Sequence, residues 1–498
     1  DPHQIKGVVT SHTETPRAAL AWISALLVLA AGLQQPGDIV AETKLDVSVD
    51  ALTFLGRTWH LWEPVADMGH VQNQAVGYLF PMGPFFAIGQ LLHVPLWMIQ
   101  RGWMGLLLVV AFWGLARLAD ELEIGSPTPR ILGALAYALS PFFIARIGAT
   151  SAFVIGGAML PWIMVPLVRA SRKGSIRRGA ALSGLAVFAI GGINAAVTLA
   201  VLVAPLVWLL TRERGRRRNQ LLGWWLLAVF LATAWWMVPL FFQLKYGFNF
   251  LPYTERATTT TAYTSTPEVL RGTADWLSYL HLREGWLPAG WALVAEPVAI
   301  IGSCAMAALG LFGLARRDLK QRAFLLLSFL LGVAIVGAGY GGAFGNPVAG
   351  FVRTMLDGPA GLFRNVYKFQ PLVALPLAFG TIHALQLLLD WSRAAHPKAA
   401  HPAWLHTRTT QRRIHAFAPL ALLALVLVAA LPLASGHLVS DRGFEEIPSW
   451  WTDVQKAQEE MVAPGRALIL PGIPAGDYTW GRTLDEPLQT TTDTPWIE

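Results

Sequence analysis

The chain has 498 residues, 54% of them hydrophobic and 14% charged, with a mean hydropathy of +0.46; a soluble globule carries nearer a quarter charged residues, so composition excludes one. The net charge of +7 does not point to nucleic acid, because the basic residues fall in short clusters between apolar runs. The single cysteine, Cys304, excludes a disulfide framework and a thiolate metal site.

In chain order, the opening DPHQIKGVVTSHTETPR leads into an apolar run at 18–36. That run is about the length of a signal-peptide core, but no small-residue cleavage site precedes it, so it is expected to remain as the first transmembrane helix. A bilayer core is crossed by roughly 20 apolar residues in a helix. Ten further spans are predicted at 97–116, 131–147, 152–168, 179–194, 195–210, 221–242, 292–315, 323–341, 369–390 and 416–436. The fold expected is therefore an all-α polytopic membrane protein with a bundle of about 11 transmembrane helices.

Every second connection is basic. Arg169, Arg172, Lys173, Arg177 and Arg178 form one cluster, Arg212, Arg214, Arg216, Arg217 and Arg218 the next, followed by Arg316, Arg317, Lys320 and Arg322, and by Arg393, Lys398, Arg408, Arg412 and Arg413. The positive-inside rule then places the N-terminus in the cytoplasm and the C-terminus outside. The connections at 37–96, 243–291 and 342–368 and the tail from 437 face outward; they hold Asp46, Asp50, Glu63, Asp67, Glu255, Glu268, Asp275, Glu284 and Asp357. In the first of them Pro81, Gly83, Pro84 and Pro95 interrupt an apolar run, which predicts short interfacial helices instead of a straight span. From 437 the composition is that of soluble protein, and the chain reaches Glu498 before such a domain closes a core. We expect 1–436 to be the membrane domain and 437–498 the beginning of a soluble one.

Two constellations carry candidate chemistry. Asp46 and Asp50 are spaced i, i+4, which on a helix puts both carboxylates on one face just beyond the first span; a carboxylate there can serve as general base toward a hydroxyl, or both acids are solvated or paired with Lys44 and Arg57. Arg364 and Lys368 have the same spacing at the outer end of the tenth span, where two cations oppose the helix dipole and call for an anion such as a lipid phosphate. Otherwise they snorkel toward headgroups. His60, His70, Asp67 and Glu63 match no compact metal motif, and TWHLW reads as an interfacial aromatic anchor. No nucleotide-binding loop is visible; YGGAFG lacks the following Lys-Ser/Thr.

On KLDVSVDALTFLGRTWHLWEP, GYLFPMGPFFAIG, GLFRNVYKFQPLVALPLAFG and DYTWGRTLDEPLQ, the chain resembles the GT-C superfamily of polyprenyl-phosphate-dependent glycosyltransferases, and within it the membrane part of the AftD family of mycobacterial arabinofuranosyltransferases. The resemblance implies a GT-C-like bundle as catalytic domain, set in the inner membrane. It implies transfer of D-arabinofuranose from decaprenyl-phospho-arabinose to arabinan of arabinogalactan or lipoarabinomannan on the periplasmic face. Carried over, Asp46 is the base on the acceptor hydroxyl, Asp50 supports it or binds a divalent cation, and Arg364 and Lys368 hold the donor phosphate. An acyl carrier protein on the basic cytoplasmic face is also implied. No other cofactor is expected, and no nucleic acid. The rival readings are another polyprenyl-phosphate sugar transferase, such as a mannosyltransferase, a lipid-linked saccharide flippase, and a scaffolding subunit.

Overall fold

The computed structural model describes residues 14–42, 44–66, 68–72, 74–249, 251–393, 408–462, 465–470, 472, 475–491 and 495–497. Asp67 and Lys398 lie outside them. The apolar runs become helices wherever the sequence places a span. In order these are α1 (Arg17–Gly32), two short helices of the first loop, α2 (Leu45–Val49) and α3 (Ala51–Thr58), the proline-started α4 (Met82–Leu91), and α5 (Leu96–Leu122). There follow α6 (Pro127–Ala138), α7 (Pro141–Ile147), α8 (Ile155–Arg172), α9 (Ile176–Phe188), α10 (Ala195–Leu210) and α11 (Arg216–Tyr246). The second half has α12 (Ala257–Thr260), α13 (Thr266–Arg271), α14 (Pro288–Ala295), α15 (Pro297–Ala315), α16 (Arg322–Gly337), α17 (Ala349–Asp357), α18 (Pro371–Arg393) and α19 (Arg408–Ala429).

Among the described residues six helical stretches are long and apolar enough to cross a membrane, at 96–122, 151–172, 216–246, 297–315, 366–393 and 412–429; α6 and α7, bent by 44° at their junction, make a seventh if counted as one span. The expected number of eleven is thus not reached on length and composition: α1, α10 and α16 have 16 residues each and α9 has 13. Sequence hydropathy marks apolar runs but not where a helix stops; Pro141 ends one helix and begins the next because its ring blocks the preceding turn. Proline inside other spans, as at Pro161, Pro166 and Pro376, is carried without a break.

Small residues set the closest approaches. Gly310 and Gly313 of α15 face Gly380 of α18, and a Cβ built on Gly313 or Gly380 collides with the opposing backbone carbonyl. Without a hydrophobic force between helices in lipid, such backbone contact supplies the packing attraction.

The first long loop, 37–96, is held from below by α5. Gln100 accepts from the amide of Val40 at 3.0 Å and donates back to its carbonyl at 3.0 Å, while Arg101 donates to the carbonyls of Gln34 at 2.8 Å and Asp38 at 3.0 Å. From above it is held by the C-terminal residues: Ile39 pairs with Phe444, the amide of Leu45 donates to Asp485 at 2.9 Å, and the amide of Trp496 donates to the carbonyl of Val65 at 3.0 Å. Those residues form two-stranded pairs, parallel between Ala467–Leu468 and Trp496–Ile497 and antiparallel between Gly476–Tyr478 and Gly481–Leu484.

Candidate active site

Asp46 and Asp50 do not share a helical face. Asp50 ends α2 with extended φ −142° and becomes the N-cap of α3, its carboxylate accepting from the amide of Thr53 at 3.1 Å. A cap of this kind satisfies one of the orphan amides of a helix start, and it fixes Asp50 as structural punctuation. Asp46 instead turns inward: it is 6% exposed and accepts from Arg57 Nη2 at 2.6 Å. Burial lifts its carboxyl above the ordinary value of 3.8, with Asp485 adding to the rise, while Arg57 and Lys44 pull it down. Asp46 lines a cavity of about 120 Å³ with Arg57, Glu63, His70, Gln489 and Trp496, between the first loop and the C-terminal residues. Among the described residues no group of three or more histidines, cysteines and carboxylates gathers around either aspartate or elsewhere.

Arg364 and Lys368 are also parted. The backbone between them is two short 3-10 turns, Gly361–Phe363 and Val366–Phe369, not the α-helix that would have stacked residues four apart. Arg364 is 6% exposed and fully engaged: Nη1 donates to Thr254 Oγ1 at 2.9 Å and to the carbonyl of Glu255 at 2.7 Å, Nε donates to Leu356 O at 3.2 Å, and Asp357 lies at 3.3 Å. It ties the 243–291 loop to the start of α18. Lys368 is 7% exposed, yet its ammonium makes no hydrogen bond or ion pair with any described residue. It stands 5.1 Å from the centre of the Phe153 ring. An ammonium so largely withdrawn from water favours an anionic partner.

Around Lys368 the structure assembles groups that are far apart in the chain. Arg146, 2% exposed and in the last turn of α7, holds both oxygens of Asp275 in a fork; Nη2 to Oδ1 is 2.9 Å and Nε donates to Oδ2. The same guanidinium lies over Phe153 at 5.0 Å and over Tyr367 at 4.5 Å. Glu255 is half-buried; Oε1 accepts from Asn365 Nδ2 at 2.7 Å, and Asn365 in turn accepts from Trp276 at 2.9 Å. The charges that act on Lys368 are those of Arg146, Glu255 and Asp275. From the first loop it is Glu42, not Asp46, that reaches toward this region, accepting from the amide of Ser151 two residues before Phe153.

The cavity beside Arg146, Asp275 and Tyr367 shares Phe142, Gly272 and Gln370 with a second, apolar cavity between α6, α13, α15, α18 and α19. The two cavities thus lie on either side of the same three residues. Chemically, the arrangement offers a cation for an anion and a carboxylate beside it, with an apolar cavity nearby. Sequence reasoning missed Arg146, although a lone arginine inside the apolar run 131–147 is a signal of a functional or paired charge; Glu255 and Asp275 stood out only as external acids.

Residues 25–498 match the family model described as the N-terminal GT-C domain of alpha-(1->3)-arabinofuranosyltransferase. The chain is 38% identical over 467 residues to the alpha-(1->3)-arabinofuranosyltransferase of Mycolicibacterium smegmatis, covering 93% of this chain and 32% of that protein; the Mycobacterium tuberculosis enzyme of the same name is 37% identical over 473 residues, covering 93% and 33%. It spans about a third of the length of these relatives. Among solved structures it superposes on the cryo-EM structure of arabinofuranosyltransferase AftD from mycobacteria with a TM-score of 0.76 at 33% identity, covering 98% of this chain and 32% of that one. A helical multi-pass architecture, a charged cluster at the mouth of the helix that begins at Pro371, and likeness over nearly its whole length together place this chain in the family of alpha-(1->3)-arabinofuranosyltransferase N-terminal GT-C domains.

Proposed function

We propose that the chain is the catalytic membrane portion of a glycosyltransferase that moves D-arabinofuranose from decaprenyl-phospho-arabinose to an arabinan chain at the outer face of the inner membrane, with the N-terminus cytoplasmic and the C-terminus periplasmic. The observation that carries this reading is Lys368, a buried ammonium lacking an ion pair or hydrogen bond among the described residues, flanked by Arg146. Such a site suits the phosphate of the donor, whose leaving group gains negative charge as the glycosidic bond breaks. The apolar cavity that adjoins the cluster supplies a route for the isoprenoid tail.

Residue by residue, Lys368 meets the phosphate and Arg146, fixed by Asp275, supports it as a second positive centre. Arg364 positions the Thr254–Glu255 segment through its two bonds there. Glu255, oriented by Asn365, is the carboxylate beside the phosphate site, and we assign it the proton of the acceptor hydroxyl. The acceptor oxygen attacks the anomeric carbon, the bond from that carbon to the phosphate oxygen breaks, the proton passes to Glu255 and decaprenyl phosphate leaves. A beta-configured donor giving an alpha linkage needs one such in-line displacement, with inversion. Asp46 and Asp50, facing the C-terminal residues and the α3 start, are not given this role. The basic cytoplasmic connections remain the proposed surface for an acyl carrier protein.

The test is a transfer assay in proteoliposomes with labelled decaprenyl-phospho-arabinose and an arabinan primer. Labelled pentose in the primer is the expected result. Label incorporated only from a different polyprenyl-phosphate sugar overturns the choice of sugar, and no transfer from any such donor overturns the enzyme class.

A further inference from the structure

The cavity that holds Asp46 is a site in its own right. Three polar atoms of residues that line it are buried and without a hydrogen-bond partner among the described residues: Asp46 Oδ1, Arg57 Nε and Gln489 Nε2. One acceptor and two donors left unmet beside a single space of about 120 Å³ are expensive. Their side chains are not loose, because Arg57 bridges Asp46 at 2.6 Å and the carbonyl of Gln489 at 3.3 Å.

The cavity continues outward. Arg57, Glu63 and Val65 also line an open cleft of about 670 Å³ whose other walls include Thr53, His60 and Trp62. Trp62 is 55% exposed there. It is not on the lipid side: the next residues, Pro64 and Val65, accept from Arg466, and Val65 accepts from the amide of Trp496, both from the water-facing C-terminal part. An anion is repelled by Asp46 and Glu63, and a cation by Arg57 and Lys44. A neutral polyol with an apolar ring face suits this lining, its hydroxyls meeting the polar side chains of Asp46, Arg57 and Gln489 while its C–H face covers the indole.

We propose that the Asp46–Arg57–Gln489 cavity and the Trp62 cleft together form a saccharide-binding subsite, separate from the Lys368 cluster, which holds a pentofuranose unit of the acceptor chain. The choice of acceptor sugar rests on the transferase reading above; the binding of a saccharide does not. Gln489 and Trp496 make the C-terminal residues part of the site, so the first external loop is completed as a binding surface only when they dock.

The experiment is titration of the whole chain in nanodiscs with a linear arabinofuranosyl oligosaccharide, read by saturation-transfer NMR and tryptophan fluorescence, on wild type, Trp62→Ala and Asp46→Asn. Trp62 is on the surface, so its variant keeps the fold even where the Asp46 variant does not. Both substitutions are expected to weaken oligosaccharide binding about tenfold or more, with binding of the polyprenyl-phosphate donor unchanged and, where transfer is seen, with acceptor KM raised and kcat kept in Trp62→Ala. Unaltered oligosaccharide affinity in Trp62→Ala and in folded Asp46→Asn overturns the proposal and leaves a water-filled pocket. Trp62-dependent binding in a protein without any transfer activity upholds the subsite and sinks the transferase reading instead.

Discussion

Lys368 and Arg146 stand over the same aromatic ring, 5.1 Å and 5.0 Å from the centre of Phe153. Two cations share one ring because Arg146 is neutralised by Asp275, leaving Lys368 as the charge that an incoming anion can claim. The attraction of a ring face holds an ammonium in place at a cost below that of an unsupported buried charge.

Replacing Lys368 by alanine should raise the KM for the polyprenyl-phosphate donor by about ten- to a hundredfold, the worth of one hydrogen bond to a charged group. The fold should be as stable as before or more so, since a buried charge without a counter-ion is removed. Donor titration and thermal unfolding in detergent check the two halves; a fall in unfolding temperature with unchanged donor KM would make Lys368 a structural residue.

Glu255→Gln keeps the size and the bond to Asn365 but cannot take a proton. We expect kcat to fall by about 10²–10⁴ with donor affinity retained. A variant turning over at the wild-type rate would remove Glu255 from the chemistry.

Asp275→Asn strands the Arg146 guanidinium, and both partners are at least 95% buried. Breaking a buried pair from one side costs about 3–5 kcal/mol. Chemical unfolding of the variant in mixed micelles measures it, and Arg146→Met with Asp275→Leu should recover much of the loss in stability but not activity.

For Asp46 the pH dependence has a definite sign. Below its unfolded value of 3.8 the carboxyl is protonated in both states and contributes no penalty. As pH rises from there through the raised folded value, the unfolded chain ionises first and stability from this residue is lost. The unfolding temperature of Asp46→Asn, compared with wild type from about pH 4 upward, should lack that part of the decline; identical slopes would show that Arg57 fully offsets the burial.

At Gly380 a methyl group meets the carbonyl of Gly310 across the α15–α18 contact. Gly380→Ala should destabilise by about 1–3 kcal/mol, because neither backbone can retreat without moving a helix. An unchanged unfolding transition would place the close approach elsewhere.

Composition and apolar runs determined by themselves that this is a helical membrane protein, where its helices lie, and which long connections carry the acids. They did so because crossing a bilayer imposes a length and an apolarity that any one segment must satisfy alone. The tertiary structure decided everything that depends on two segments. Asp46 and Asp50, four apart, part company because Asp50 caps a new helix; Arg364 and Lys368, also four apart, do so because the chain between them winds as 3-10 turns. Arg146 and Asp275, separated by 129 positions, meet in one fork, and Asn365 orients Glu255 across 110. Spacing rules hold only while one regular helix continues, whereas charges taken out of water seek partners wherever packing brings them; a lone arginine in an apolar run signals that a partner is needed, but not which one.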